Sequence, residues 1–214
     1  MQSQKAKKPQ SKEGGKDAYA EAAEKGHQAV LIAESFTANF KPLSHEKPKC
    51  LFPIANIPML LFQIELLAKN NVNKIICASA RSTDTLKRQW QQVKASHMMG
   101  KQALIDVKFV KLQRPTSLCE AIREITEHCE LQDDFILISG DIVSNADFSE
   151  ALRQHYDSKK KITTFQTIIT KIFARLPFSS PLRVQSQEIV LTLDSDTKQV
   201  VDYGQYAHTS QASF

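Results

Sequence analysis

The pattern of apolar and polar positions divides most of the chain into alternating strand and helix segments. Short, continuous apolar runs are typical of strands that are buried on both faces of a parallel sheet. Longer segments with apolar residues at helical spacing separate these runs, and the two kinds alternate from Gln28 to Tyr156. This order predicts an α/β domain with a doubly wound, mostly parallel sheet. The predicted strands are 28–33, 74–79, 104–110 and 135–138, and the predicted helices are 58–69, 84–94, 117–129 and 146–156.

The pattern changes after Tyr156, where strand-forming residues dominate. Segments 162–173 and 188–193 are rich in β-formers, and 194–198 is a predicted turn into a hairpin partner at 200–203. We therefore predict a strand-rich C-terminal extension on one edge of the sheet. The chain stops at Phe214, shortly after the hairpin. We expect the domain, 28–214, to be truncated at its C-terminal end and to come from a longer protein.

The first 27 residues differ in composition from the rest. They contain six lysines, four acidic residues and almost no large apolar side chain, which predicts a disordered, basic leader. The leader lacks the apolar core of a signal peptide, and no later segment is long and apolar enough for a membrane span. These features predict a soluble, cytosolic protein with no membrane partner.

The net charge and the positions of the cysteines and histidines exclude further classes of function. The formal net charge is +5, but no RNA-binding motif accompanies it, so we predict no direct sequence-specific nucleic-acid binding. The cysteines at 50, 77, 119 and 129 form no C-x-x-C pair, and the six histidines form no ligand cluster. We expect neither a metal nor another cofactor.

Several prolines and their neighbours after the first predicted strand follow a characteristic spacing. They are Pro42-Leu43-Ser44, Pro48-Lys49, Leu51, Pro53, Asn56 and Pro58. This spacing resembles the signature of the sugar-phosphate nucleotidyltransferase superfamily, in which a glycine-rich loop ending in P-L-T precedes P-K-P-L-L-P-V-G-N-x-P. The resemblance implies a fold of the nucleotidyltransferase (GT-A-like) type.

The phosphate-binding residues of that signature are absent. The family's three glycines fall on Glu34, Ser35 and Thr37, and its arginine falls on Asn39. Glycine allows the backbone to approach phosphate oxygens closely, and Glu34 adds a carboxylate where a polyanion would lie. With Lys49 these residues form a vestigial nucleotide loop, and we predict no catalytic residue in the chain.

Two charged residues of the family pattern survive. Lys49 matches the phosphate-contacting lysine, and Asp141, in Ser139-Gly140-Asp141, matches the magnesium-binding aspartate. We interpret Lys49 as a solvated loop lysine and Asp141 as a turn former at a vestigial metal position. A hard cation on one carboxylate relies on substrate phosphates for its other ligands. The substrate-base loop is also altered, with Ser117 in place of a glycine.

Four stretches carry a more specific resemblance within this superfamily: 28–36, 51–56, 117–123 and 134–145. They resemble the family of epsilon subunits of eukaryotic translation initiation factor 2B. The resemblance implies a non-catalytic domain of a hetero-oligomeric complex that exchanges guanine nucleotide on initiation factor 2. The implied partners are the other subunits, gamma first, and initiation factor 2 through the full-length protein. Exchange would reside in a C-terminal domain that this chain does not contain.

Two alternatives to this assignment remain. One is an active sugar-phosphate nucleotidyltransferase, which Glu34 and the missing glycines disfavour. The other is the gamma subunit of the same factor, which Phe36 and the stretch 139–145 disfavour.

A domain without a ligand site needs another surface to function. We nominate Ile168, Ile172 and Phe178 as a candidate subunit interface, because alternate residues of a strand face opposite sides of a sheet. The alternative is that Ile168 and Ile172 complete the core.

Overall fold

A computed structural model of the chain describes residues 18–34, 36, 40–95, 105–113, 115–128, 131, 133–160, 169–173, 175, 177, 180–181, 189–197 and 199–205. They belong to two compact units, Met1–Thr170 and Lys171–Phe214. Among the described residues, no helix has both the length and the apolar character that crossing a membrane requires.

A four-stranded sheet forms the centre of the first unit. The strands of this unit are β1 His27–Ile32, β2 Pro53–Ile54, β3 Ile57–Pro58, β4 Val72–Ser79, β5 Asp106–Lys111 and β6 Phe135–Ser139. The order in the sheet is β5, β4, β1 and β6, and all neighbouring strands are parallel. The chain runs outward from β1 to β5 and then returns to the other side of β1, which confirms the predicted doubly wound fold.

Helices cover both faces of this sheet. The described helices of the first unit are, in chain order, α1 Ala18–Lys25, α2 Leu43–Glu46, α3 Met59–Lys69, α4 Thr83–Ala95, α5 Leu118–His128 and α6 Ser149–Lys160. Alternate side chains of β1 supply two cores: Ala29 and Leu31 pack with α3 and α4, whereas Val30 and Ile32 pack with α5. Burial on both faces explains why β1 is a continuous apolar run.

Residues 18–27 differ from the predicted disordered leader. Most of them form α1, and His27 begins β1 and is buried. Composition does not reveal this helix, because none of its residues is buried. It is held instead by distant amides: Asn71 Nδ2 donates to the carbonyl of Ala23 at 2.6 Å, and Asn73 Nδ2 to that of Lys25 at 2.7 Å. The prediction for residues 1–17 lies outside the described residues and stays a prediction.

Two helix starts also depart from the predicted pattern. Helix α6 begins at Ser149 rather than at Ala146, because the carbonyl of Ala146 accepts the Asn70 amide at 3.0 Å instead of a helical N–H. At α5 the predicted capping box is altered. Ser117 Oγ accepts the N–H of Glu120 at 3.3 Å, but the Glu120 carboxylate accepts from the N–H of Thr116 at 2.7 Å. The backbone hydrogen bond from Thr116 lowers the pKa of Glu120.

The second unit contains the antiparallel hairpin that the sequence predicts. Its strands are β7 Ile189–Leu193 and β8 Val200–Gln205. The Asp194 carboxylate closes the turn by accepting the N–H groups of Asp196 at 3.0 Å and Thr197 at 2.7 Å. The strand prediction for 162–173 is wrong at 169–173, which form neither helix nor strand. Residues 161–168 lie outside the described residues.

Candidate functional site

The carboxyl edge of the sheet brings the loops after β1 and β6 together. From β1 the chain continues to β4 on one side as the next strand of this sheet, whereas β6 lies on the other side of β1, so the strand order reverses between β1 and β6. Ligands of open α/β sheets bind at such a point. Two of the predicted site residues, Glu34 and Asp141, follow these two strands directly.

Gly140 sets the distance between the two strands at this edge. Its N–H donates to the carbonyl of Ile32 at 2.8 Å. A Cβ at this position would lie 2.8 Å from the Ile32 carbonyl oxygen and 2.9 Å from Ala33 Cα. Only glycine permits this approach, because both neighbours are backbone atoms of the adjacent strand. The close approach carries Asp141 to the end of β1.

Lys49 is not the solvated loop lysine that we predicted. Its residue is 8% exposed, its Nζ lies 3.5 Å from Asp141 Oδ2, and the same Nζ lies 4.6 Å from the centroid of the Phe40 ring. Lys49 begins a single 3-10 turn whose other two residues, Cys50 and Leu51, are in the core. Their burial draws the lysine inward, and a lysine that is buried needs a paired charge.

Asp141 remains partly open to solvent. Its side chain is 43% exposed, and the Ser139 hydroxyl donates to its Oδ1 at 2.6 Å. Asp141 lies in a turn, as predicted, but its carboxylate accepts this hydrogen bond from the Ser139 side chain rather than from the neighbouring backbone. One carboxylate oxygen therefore meets a hydroxyl, and the other meets an ammonium group.

Glu34 bonds to the end of the neighbouring strand, β4. Its Oε2 accepts the N–H of Ala80 at 2.9 Å and lies 3.4 Å from the Ser79 hydroxyl. The turn is tightened further by the N–H of Ser82, which donates to Ser79 Oγ at 3.2 Å. The carboxylate thus joins the loop after β1 to the turn before α4. No local pattern predicts this contact, because Glu34 and Ser79 are 45 residues apart.

The remaining predicted residues do not join this cluster in the described part of the chain. Ser35, Thr37 and Asn39 lie outside the described residues, as do Ile168 and Phe178 of the candidate interface. Ile172 belongs to the second unit, where its side chain is 57% exposed beside the exposed Phe173.

Sequence reasoning missed two neighbours of Lys49. Phe40 lies over its ammonium group and meets the ring of Phe52 with 5.9 Å between centroids. Cys50 lies beneath the site, where burial raises the pKa of its thiol to about 12 and the charges of Glu34 and Asp141 add to the effect. A thiol with that pKa stays protonated at neutral pH and is a poor nucleophile. Within the described ranges, no group of three or more potential metal ligands is present.

Comparison with protein families gives a match to the family described as nucleotidyl transferase, over residues 28–174. Among curated proteins, the translation initiation factor eIF2B subunit epsilon of Dictyostelium discoideum is 30% identical over 176 residues, which are 82% of this chain. The match confirms the resemblance to epsilon subunits. It spans 24% of the length of that protein, so this chain corresponds to about a quarter of it.

Relatives of other kinds match more weakly. The mannose-1-phosphate guanylyltransferase catalytic subunit beta of Xenopus tropicalis is 26% identical over 145 residues, 68% of this chain and 38% of that protein. The crystal structure of HddC from Yersinia pseudotuberculosis complexed with GMP-PN superimposes with a TM-score of 0.50 at 22% identity. It covers 62% of this chain and 56% of HddC. This likeness supports the nucleotidyltransferase-like fold alone.

Proposed function

Because this chain belongs to the nucleotidyl transferase family, we propose that it is a non-catalytic nucleotidyltransferase-like domain of an initiation factor 2B epsilon subunit. It serves the assembly and regulation of that complex in the cytosol. It does not transfer nucleotides itself.

The observation that carries this proposal is the pairing of Lys49 with Asp141. In the family pattern the lysine would contact phosphate and the aspartate would hold magnesium. Here the ammonium group lies 3.5 Å from the carboxylate and against the Phe40 ring, so each charge already has a partner within the chain. A nucleotide with its metal would have to separate this pair and displace the ring.

The loop after β1 supports the same conclusion. The N–H of Ala80 donates to Glu34 Oε2 and so holds this carboxylate at the carboxyl edge of the sheet. Serine and threonine at 35 and 37 replace glycines of the family pattern, and Asn39 replaces its arginine. Side chains at these positions prevent close backbone approach, and the guanidinium fork that would hold a phosphate is missing.

The first test is titration of the chain with ATP, GTP, CTP and UTP in the presence of magnesium. We expect no heat of binding at micromolar concentrations by calorimetry, because the charged groups of the site are paired internally. A mannose-1-phosphate guanylyltransferase titrated in parallel provides the positive control. Micromolar binding of any nucleotide that Asp141→Ala abolishes would overturn the proposal.

An active enzyme is the second candidate, since a mannose-1-phosphate guanylyltransferase subunit is 26% identical to this chain. Such an enzyme would release pyrophosphate from GTP and mannose 1-phosphate. Pyrophosphate release that requires Asp141 would establish this alternative and exclude the non-catalytic role.

The proposed partners are the other subunits of initiation factor 2B, gamma first, and initiation factor 2 through the full-length protein. The candidate interface is Ile168, Ile172 and Phe178. Ile172 supports it as an isoleucine with a side chain that is 57% exposed, next to Phe173 with 49%. Adjacent exposed apolar side chains are typical of surfaces that a partner covers.

The second test is co-expression of Ile172→Asp with a gamma subunit. We expect co-purification to fall, because losing a central interface residue costs about 2 kcal/mol, or roughly thirtyfold in affinity. Leu43→Asp is the matched control, since Leu43 is also an exposed aliphatic residue but belongs to the first unit, in α2. Undiminished co-purification of a folded Ile172→Asp chain would remove this residue from the interface.

A further inference from the structure

Helix α1 is attached to the domain by few contacts. None of its eight residues is buried. Besides the amide bonds of Asn71 and Asn73, the ring of Tyr19 contacts the domain. Elements with few buried apolar contacts open at a lower free energy than the core does. The attachment of α1 therefore depends on the surroundings of Tyr19.

The side chains of Tyr19, His27 and Tyr156 form a cluster of three aromatic rings. The ring centroids of Tyr19 and His27 are 6.4 Å apart with 29° between the ring planes. Those of His27 and Tyr156 of α6 are 6.2 Å apart with 25° between the planes, and the two tyrosines are 6.4 Å apart. The His27 residue is 6% exposed. Its imidazole thus links α1 to α6 through stacked faces.

Charged groups surround this cluster on the side of α6. The Arg153 guanidinium lies over the Tyr19 ring at 5.5 Å, and the His155 ring meets Tyr156 edge-on at 5.8 Å. Burial raises the pKa of Tyr156, and the negative charges of Asp133 and Asp134 raise it further. Asp134 in turn is paired with Lys159, whose Nζ lies 2.7 Å from its Oδ2.

We propose that α1 is a proton-sensitive strap: a proton on His27 loosens the three-ring cluster and releases α1 from α6. The imidazole is neutral in the docked state because a charge at this buried position would lose its hydration. Releasing α1 opens the cluster to water, and there the imidazole can take up the proton. Mild acid therefore favours the released state.

The direction of the pH dependence follows from linkage. Desolvation by burial lowers the pKa of His27 from the ordinary histidine value of 6.5. The released state therefore binds more protons than the docked state at pH values below the ordinary pKa. Docking is at full strength above that pH and weakens as the pH falls toward the lowered pKa of the docked state. Since one proton is involved, the docking equilibrium changes at most about tenfold per pH unit.

The test is hydrogen exchange of the whole chain, with protection factors measured at neutral pH and at a pH about one unit below the ordinary histidine pKa. We expect protection of the amides in the last turn of α1 to fall several-fold in acid, while protection in β4 stays constant. His27→Phe keeps a stacked ring that cannot be protonated, and there the fall should vanish. His155→Phe is the control for the other histidine near the cluster and should keep it.

A second variant keeps the test informative if the His27→Phe chain does not fold. Tyr19→Ala removes the stacking residue of α1, so its α1 amides should be unprotected at both pH values while β4 stays protected. The proposal is overturned if wild-type α1 keeps its protection in acid. It is also overturned if α1 and β4 lose protection together, because the proton would then act on the whole domain.

Discussion

Replacing Gly140 by alanine is expected to lower the free energy of unfolding by about 3 kcal/mol, the upper part of the usual range for overpacked positions. The added Cβ would lie 2.8 Å from the Ile32 carbonyl oxygen and 2.9 Å from Ala33 Cα. Neither neighbour can rotate away, because both are backbone atoms, one at the end of β1 and one in the residue that follows it. The end of β6 must therefore move away from β1, and the hydrogen bond from Gly140 to Ile32 is lost.

Urea unfolding followed by circular dichroism and by the fluorescence of Trp90 measures this change. Trp90 is the single tryptophan of the chain and is 5% exposed, so its emission reports on the core. Gly204→Ala is the matched control, because a Cβ there would meet nothing within 4 Å. If the two variants unfold at the same urea concentration, the close approach at Gly140 is not a constraint.

Replacing Asn70 by alanine is expected to cost about 2–4 kcal/mol, because three hydrogen bonds of a buried side chain are lost together. Asn70 Nδ2 donates to the carbonyls of Leu66 at 2.9 Å and Ala146 at 3.0 Å. Its Oδ1 accepts the N–H of Phe148 at 2.6 Å. The Asn70 side chain thus joins the end of α3 to the segment that leads from β6 into α6. Alanine would leave the two carbonyls and the N–H group without these hydrogen bonds.

Asn145→Ala is the control for this substitution, since Asn145 is exposed and adjoins Ala146 in the same segment. We expect its unfolding to match that of the wild type within about 0.5 kcal/mol, as is usual for surface positions. An equal loss in both variants would mean that the segment itself, rather than the amide of Asn70, is responsible. Differential scanning calorimetry gives an independent measure of both losses.

The family resemblance nominated several residues of the candidate site, but it did not predict how they are arranged. Lys49 was nominated because it matches the family's phosphate-contacting lysine, and Asp141 because it matches the family's magnesium-binding aspartate. Their pairing depends on Gly140, which brings β6 close to β1, and on the 3-10 turn that buries Lys49. Phe40 gave no signal, because an aromatic residue in a loop has no periodicity that would assign it a contact.

Helix α1 is an element that the sequence did not predict. Its composition is that of a disordered segment, since eight residues with no buried side chain cannot stabilise a helix alone. The partners that hold it, Asn71, Asn73 and Tyr156, lie 48 or more positions further along the chain.

The sequence alone determined the alternation of strands and helices, the parallel sheet and the hairpin at 189–205, because hydrophobic periodicity and turn residues act over short distances along the chain. Tertiary structure alone decided that Lys49 is buried, that Glu34 bonds to the turn after β4 and that Tyr19 of α1 meets Tyr156 of α6. Each of these depends on groups that are distant in sequence, and their energies arise only when the sheet brings those groups within hydrogen-bonding or stacking distance.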